Sequence, residues 1–369
     1  MIWGILLVAA LLLAYANGAN DNFKGVATLF GTGTADYRRA LAVATVSTGL
    51  GSLAALVLAR GLLAAFSGKG LVPEPVLADP AFLPAVGLGA GATVLFATRL
   101  GLPISTTHSL VGALVGAGWA AADSVSLATL GKVFLVPLLV SPVLALAATA
   151  ALYPILRRLR VRLGVGRETC LCVGERVVVT AGLPTRAAAR TGGIEVILAD
   201  REQCFDRYTG TLAGVEAQTA LDHLHYLSAA AVGFARGLND TPKIAALLLG
   251  VSTVTPSVGF VAVAVVMAIG GLVGARRVAE TMSHRISAMN HGQGFTANLV
   301  TAFLVIIASR WGLPVSTTHV SCGALFGIGT ATGNARWRAI AAIAGAWLTT
   351  LPLAAALAAT AFLLLLRMG

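Results

Sequence analysis

Gly18-Ala19-Asn20-Asp21-Asn22-Phe23-Lys24 interrupts an apolar run, and it returns as Gly237-Leu238-Asn239-Asp240-Thr241-Pro242-Lys243. A second pair accompanies it: Gly101-Leu102-Pro103-Ile104-Ser105-Thr106-Thr107-His108 and Gly312-Leu313-Pro314-Val315-Ser316-Thr317-Thr318-His319. The two polar words stand in the same order in each half of the chain. Gly101–Gly118 and Gly312–Gly329 agree at 12 of 18 aligned positions at an offset of 211, and the Asn-Asp words lie 219 apart. One half has been laid down twice, with small loop changes. A half with an odd number of spans inserts its copy upside down, which brings both copies of each word to the bilayer middle.

The setting of these words is very apolar. Of 369 residues, 57% are hydrophobic and only 11% charged, with a mean hydropathy of +0.85. A soluble domain carries about a quarter charged residues, so the expectation is a polytopic, all-α membrane protein. It should hold about 10–12 transmembrane or re-entrant helices in two inverted repeats, with broken helices at the midplane. The net charge of +11 is spread over the joins between apolar runs, where cytoplasmic loops concentrate Lys and Arg. A nucleic-acid partner is not expected. Four Cys do not suggest a disulfide scaffold.

Residues 1–16 end in Ala14-Tyr15-Ala16, which mimics a signal-peptide cleavage site. No basic segment precedes that run, as a signal would require. Spans are expected at 40–59, 81–98, 132–156 and 258–274, and residues 61–80 read as a loop. Residues 104–121 are short for a crossing of about 20 residues, so a half-helix is equally open. Residues 338–366 read as one long span or two around Pro352.

The chain divides into an N-terminal membrane repeat (1–156), a polar insertion (157–224) and a C-terminal repeat (225–369). The insertion holds ten Arg and eight acidic residues, with strand-like runs at Val177-Val178-Val179 and Ile194–Ile197. The arginines at its start place it in the cytoplasm. Cys170, Cys172 and Cys204 with His223 match no standard zinc spacing, so a small folded linker is preferred and no metal or cofactor is expected.

An ionisable side chain within a span costs roughly 2.5–3.5 kcal/mol. Asp21 with Lys24, repeated as Asp240 with Lys243, could serve as two internal salt bridges at helical spacing. That role alone leaves the hydroxyl clusters unexplained. Gly18 and Gly237 would let the backbone unwind around a cavity. Ser105-Thr106-Thr107 and Ser316-Thr317-Thr318 read as helix starts after Pro103 and Pro314, where free backbone N–H groups and the helix dipole favour an anion. Ordinary capping would need one hydroxyl, not three. His108 and His319 stay open between proton carriers and satisfied interior histidines.

These words resemble the inorganic phosphate transporter family known as PiT, in which Gly-Ala-Asn-Asp occurs in each of two inverted repeats before a Gly-Leu-Pro-x-Ser-Thr-Thr-His segment. Gly18–Asp21 matches in full, and Gly237–Asp240 matches except at Leu238. The resemblance implies phosphate held between the repeats by Asn20, Asp21, Ser105, Thr106, Thr107, Asn239, Asp240, Ser316, Thr317 and Thr318. It also implies an extracellular N-terminus, a cytoplasmic insertion and a place in the cell membrane. The family usually reads Asn-Asp-x-x-Asn, and here the last position is Lys24 or Lys243. An ammonium there competes with sodium, so Lys24, Lys243, His108 and His319 are the expected coupling residues and the proton the expected coupling ion, with sodium the alternative.

The reading is thus a phosphate symporter. A sulfate permease of the same family is the second reading, and a membrane-bound enzyme on a phosphorylated substrate the third. No nucleotide-binding loop is present, and an enzyme would not need two copies of its site. Besides the anion, membrane lipid is an expected partner, and a homodimer is left open.

Overall fold

The computed structural model describes residues 2–166, 169–178, 189–200, 213–250, 254–286 and 289–368. The first half begins with α1 (Ile2–Asp21), a turn at residues 22–26 and α2 (Ala27–Gly31), and continues with α3 (Tyr37–Leu58) and the short α4 (Arg60–Ala65) and α5 (Glu74–Ala78). Then come α6 (Phe82–Arg99), α7 (Thr106–Ala122), α8 (Leu127–Thr129) and α9 (Val136–Arg162), the last two joined by a π-helical turn. The second half holds α10 (Ala217–Ala245), α11 (Pro256–Gly274), α12 (Arg276–Glu280), α13 (His291–Arg310), α14 (Thr317–Thr332) and α15 (Trp337–Leu366).

Seven of these helical stretches are long and apolar enough to cross a membrane by length and composition. With α7, α10 and α14 they make ten long helices among the described residues, within the expected range. Between the halves, β1 (Thr169–Val178), β2 (Ala189–Asp200) and β3 (Ala213–Glu216) form an antiparallel sheet in the order β2-β1-β3. Cys170 and Cys172 lie on β1, His223 is exposed on α10, and Cys204 lies outside the described residues.

The packing is a paired one. Helix α1 lies along α11 and α6, and its counterpart α10 lies along α3 and α13. Helix α7 packs on α15, and its counterpart α14 packs on α9. Glycines permit these approaches. A Cβ on Gly18 would overlap the Met267 carbonyl oxygen, and one on Gly237 would overlap that of Thr48. Both glycines are helical, so the expected unwinding there is corrected: they bring helices together and do not break them.

The second break is corrected too. Only the first copy turns, at residues 22–26, while α10 runs through Asp240, Pro242 and Lys243 without interruption. Ile244 and Ala245 stand where the first copy has Gly25 and Val26, and Ala is among the best helix formers whereas Gly is among the poorest. The helices after Pro103 and Pro314 start at Thr106 and Thr317, two residues later than the Ile104 expected, because Ser105 and Ser316 take the cap positions. Gly101 and Gly312 turn the chain ahead of them at φ +69° and +68°, a region glycine enters without steric cost. Residues 61–80, read as loop, include most of α4 and all of α5, and α15 passes Pro352 as one helix.

Candidate functional site

The two Ser-Thr-Thr-His helix starts face each other. The His108 and His319 rings lie 4.4 Å apart between centroids. Ser105 accepts from the His108 amide at 3.0 Å and Ser316 from the His319 amide at 3.2 Å. Each hydroxyl oxygen thus spends one acceptor position as a cap and keeps its O–H and a second lone pair to offer. The next hydroxyls but one cross between halves: Thr107 Oγ1 donates to Val315 O at 3.3 Å, and Thr318 Oγ1 donates to Ile104 O at 2.8 Å.

The Asn-Asp words meet these helix starts in matching ways. Asn20 donates to Leu102 O at 3.0 Å and to Thr98 Oγ1 at 2.9 Å. Asn239 donates to Val315 O at 3.2 Å and accepts from Ser309 Oγ at 3.2 Å. Lys24 Nζ sits in an all-oxygen shell of Asp21 Oδ1, Thr318 Oγ1, Asn20 Oδ1 at 2.9 Å and Ile104 O at 2.7 Å. Lys243 Nζ donates to Thr107 Oγ1 at 2.8 Å and Val315 O at 2.6 Å, with Asp240 Oδ1 at 3.7 Å. A salt bridge confined to one helix would not need these contacts. Each lysine instead ties its own half to the hydroxyls and carbonyls of the helix starts.

Sequence reasoning missed two members. Asn17 reaches Asp21 Oδ2 at 3.2 Å, Thr106 Oγ1 at 3.0 Å and Asp240 Oδ2 at 3.2 Å, so it bridges the two carboxylates. Arg236 donates to Asn17 Oδ1 at 2.7 Å, Asn22 Oδ1 at 2.9 Å and Thr48 Oγ1 at 3.2 Å, with Nε 3.8 Å from Asp240 Oδ2. The signal that could have found them is the repeat itself. At the offset of 219, Asn17 aligns with Arg236.

His319 Nδ1 lies 3.3 Å from Leu138 O and its ring 3.9 Å from that of Trp347, while His108 Nδ1 and His319 Nε2 have no hydrogen-bond partner among the described residues. Thr317 is buried as well. All the expected site side chains are buried, the most open being His108 at 7%. The described residues hold no cluster of three or more His, Cys, Asp or Glu that could bind a metal ion. The oxygen shell of Lys24 is nevertheless the kind that hard cations take, and an ammonium fills it.

Ten long helices among the described residues, duplicated polar helix starts and a charged cluster buried between them define a multi-pass membrane transporter. The chain belongs to the phosphate transporter family, whose pattern matches residues 17–358. It is 28% identical to a protein of Pyrococcus abyssi named as a phosphate permease, over 98% of both chains. It is 27% identical to the chloroplastic inorganic phosphate transporter 2-1 of Arabidopsis thaliana, over 94% of this chain and 69% of that one. A solved structure titled the sodium-dependent phosphate transporter shares the fold, with a TM-score of 0.77 and 21% identity over the whole of both chains. The family and these relatives are transporters, not enzymes.

Proposed function

We propose that this protein is a secondary carrier that moves inorganic phosphate across the cell membrane and couples it to protons. The observation that carries the coupling is the Lys24 ammonium inside a shell of carboxylate, amide, carbonyl and hydroxyl oxygens. Sodium would need those same oxygens, and beside an ammonium it meets like-charge repulsion. At about 4 Å that repulsion is about 4 kcal/mol with an effective dielectric of 20.

Phosphate fits the donors and acceptors here. Lys24, Lys243 and the threonine hydroxyls would supply charge-assisted hydrogen bonds once they exchange the carbonyl and carboxylate oxygens that hold them here for phosphate oxygens. Asp21 and Asp240 can accept the proton that phosphate keeps near neutral pH and sulfate lacks. A site that hydrogen-bonds a substrate hydroxyl can reject an analogue without one by roughly 10⁴.

Helix direction supports an inverted repeat. Gly233 packs on Ser47 and Gly237 on Thr48, so α10 runs parallel to α3, the span that returns after α1. The second half then enters the membrane in the opposite sense to the first. The sealed site implies alternating access by movement of one repeat against the other. Exposed apolar side chains such as Val46, Val57, Leu139 and Val143 suit contact with lipid. The N-terminus is assigned to the outside and the insertion to the cytoplasm.

The test is uptake into proteoliposomes of the purified protein, with labelled phosphate and sulfate side by side. Phosphate uptake that follows a pH gradient and persists when choline replaces sodium is expected. Sulfate uptake that phosphate cannot compete away, or strict dependence on sodium, would overturn the respective half of the reading.

A further inference from the structure

Five ionisable groups form one buried cluster: Asp21 and Asp240 against Lys24, Lys243 and Arg236, each at most 3% exposed. Fully ionised, the cluster carries one positive charge more than it balances. The further titratable groups that face it are His108, His319 and the Cys322 thiol of α14. The neighbouring elements contribute neutral groups at their contacts: Thr48 and Ser52 from α3, Thr98 from α6, Leu138 from α9, Met267 from α11, Ser309 from α13 and Trp347 from α15. Among the described residues no further buried carboxylate cancels the excess charge, and an uncompensated buried charge is costly.

We propose that Arg236 fixes the charge of this site so that phosphate enters as its monoanion together with one proton carried by a site lysine, in an electroneutral cycle. The inference rests on the phosphate reading above. Bound H₂PO₄⁻ cancels the excess, so the loaded site is neutral with both lysines protonated. When phosphate leaves, the empty site regains neutrality only by losing one cation. Arg236 cannot supply that loss, because a guanidinium keeps its proton in proteins. One lysine ammonium therefore gives its proton to water on the side where phosphate is released. The balance is H₂PO₄⁻ plus H⁺ plus a lysine amine, giving a lysine ammonium with H₂PO₄⁻ bound. Loaded and empty carriers both cross without net charge.

The repeat makes the role of Arg236 visible. Its counterpart is the neutral Asn17. With an uncharged residue at both positions, two carboxylates and two ammonium groups would already balance, and no lysine would need to lose its proton.

The test is phosphate uptake into proteoliposomes under separately imposed pH and potassium-diffusion gradients. The unmodified protein should accumulate the monoanion about tenfold per pH unit, the ratio set by one proton per phosphate, and its initial rate should not change with membrane potential. Arg236→Lys keeps a third cation, though one whose proton can leave, and loses the forked hydrogen bonds; its initial rate should fall, while its steady-state accumulation ratio under the pH gradient should stay within about twofold. Arg236→Gln keeps donors and loses the charge; it should exchange phosphate for phosphate but accumulate none under the pH gradient. Potential-driven uptake by the unmodified protein, pH-driven accumulation by Arg236→Gln, or equal loss in both variants would each overturn the proposal. No phosphate uptake by the unmodified protein is a different failure, that of the carrier reading itself.

Discussion

Lys243 donates to Thr107 Oγ1 at 2.8 Å, from the helix of the second half to the helix start of the first. Lys24 makes the corresponding reach to Thr318 Oγ1. Each lysine–threonine pair thus couples one repeat to a helix start of the other. Hydrogen bonds to charged groups contribute about 1.5–3 kcal/mol, so Thr107→Ala or Thr318→Ala should raise the KM for phosphate roughly tenfold or more. Thr→Ser at either position should restore most of it. Ser105→Ala and Ser316→Ala lose a helix cap, worth about 1 kcal/mol, and should lower the melting temperature more than they raise KM. Equal KM values for the Thr→Ala variants and the unmodified protein would remove the threonines from the site.

The lysines themselves give a sharper prediction. Asn at positions 24 and 243 restores the amide that the PiT pattern carries, and it removes the ammonium from the oxygen shell around Asp21, Asn20 and Ile104 O. Lys24→Asn with Lys243→Asn should make uptake sodium-dependent and weaken its response to pH. Uptake by the double variant in choline and in sodium, run at one pH, checks this. No gain from sodium would show that the shell does not close around that ion.

Asp21 and Asp240 belong to different halves, yet Asn17 bridges them with contacts of 3.2 Å to each. The proposed shared site predicts that the two carboxylates fail alike. Asp21→Asn and Asp240→Asn should each abolish uptake while leaving a monodisperse protein in detergent. Normal transport by either one would break the shared-site account.

Much of this site was legible because its residues are costly. Asp21, Lys24, Asp240 and Lys243 stand out in an apolar chain, and the repeated hydroxyls mark where helices start. Arg236 was not legible in the same way. It directly precedes Gly237 and reads as the edge of a span, and only its alignment with Asn17 gives it a place. The turn geometry was harder still. Gly18 and Gly237 look like helix breakers, but whether glycine loosens a helix or lets another one approach depends on Met267 and Thr48, and those lie more than 180 residues away in sequence. The same holds for the missing second break, where Ile244 and Ala245 let α10 continue.

The two ends of the molecule differ in a way the repeat makes measurable. His225, Ser228, Thr28 and Asn298 are buried together, with Asn298 Nδ2 2.8 Å from Thr28 Oγ1 and 3.4 Å from Ser228 Oγ. Their counterparts at offsets of 219 and 211 are Leu6, Ala9, Leu247 and Gly87. Opening the first end to water solvates polar groups, while opening the other exposes apolar surface at about 25 cal/mol per Å². The empty carrier should therefore open more readily at the end that holds His225. His225 Nε2 has no hydrogen-bond partner among the described residues, and a buried polar atom left unpaired costs about 1–3 kcal/mol. His225→Leu, which copies Leu6, should hold or raise the melting temperature and slow phosphate uptake several-fold, because that end loses its reason to open. Leu6→His should do the reverse to stability, since it buries a polar ring among apolar neighbours. Thermal unfolding in detergent and initial uptake rates, measured on the same preparations, decide the matter: a His225→Leu protein that melts earlier and transports at the normal rate would mean that the cluster holds the fold and not the gate.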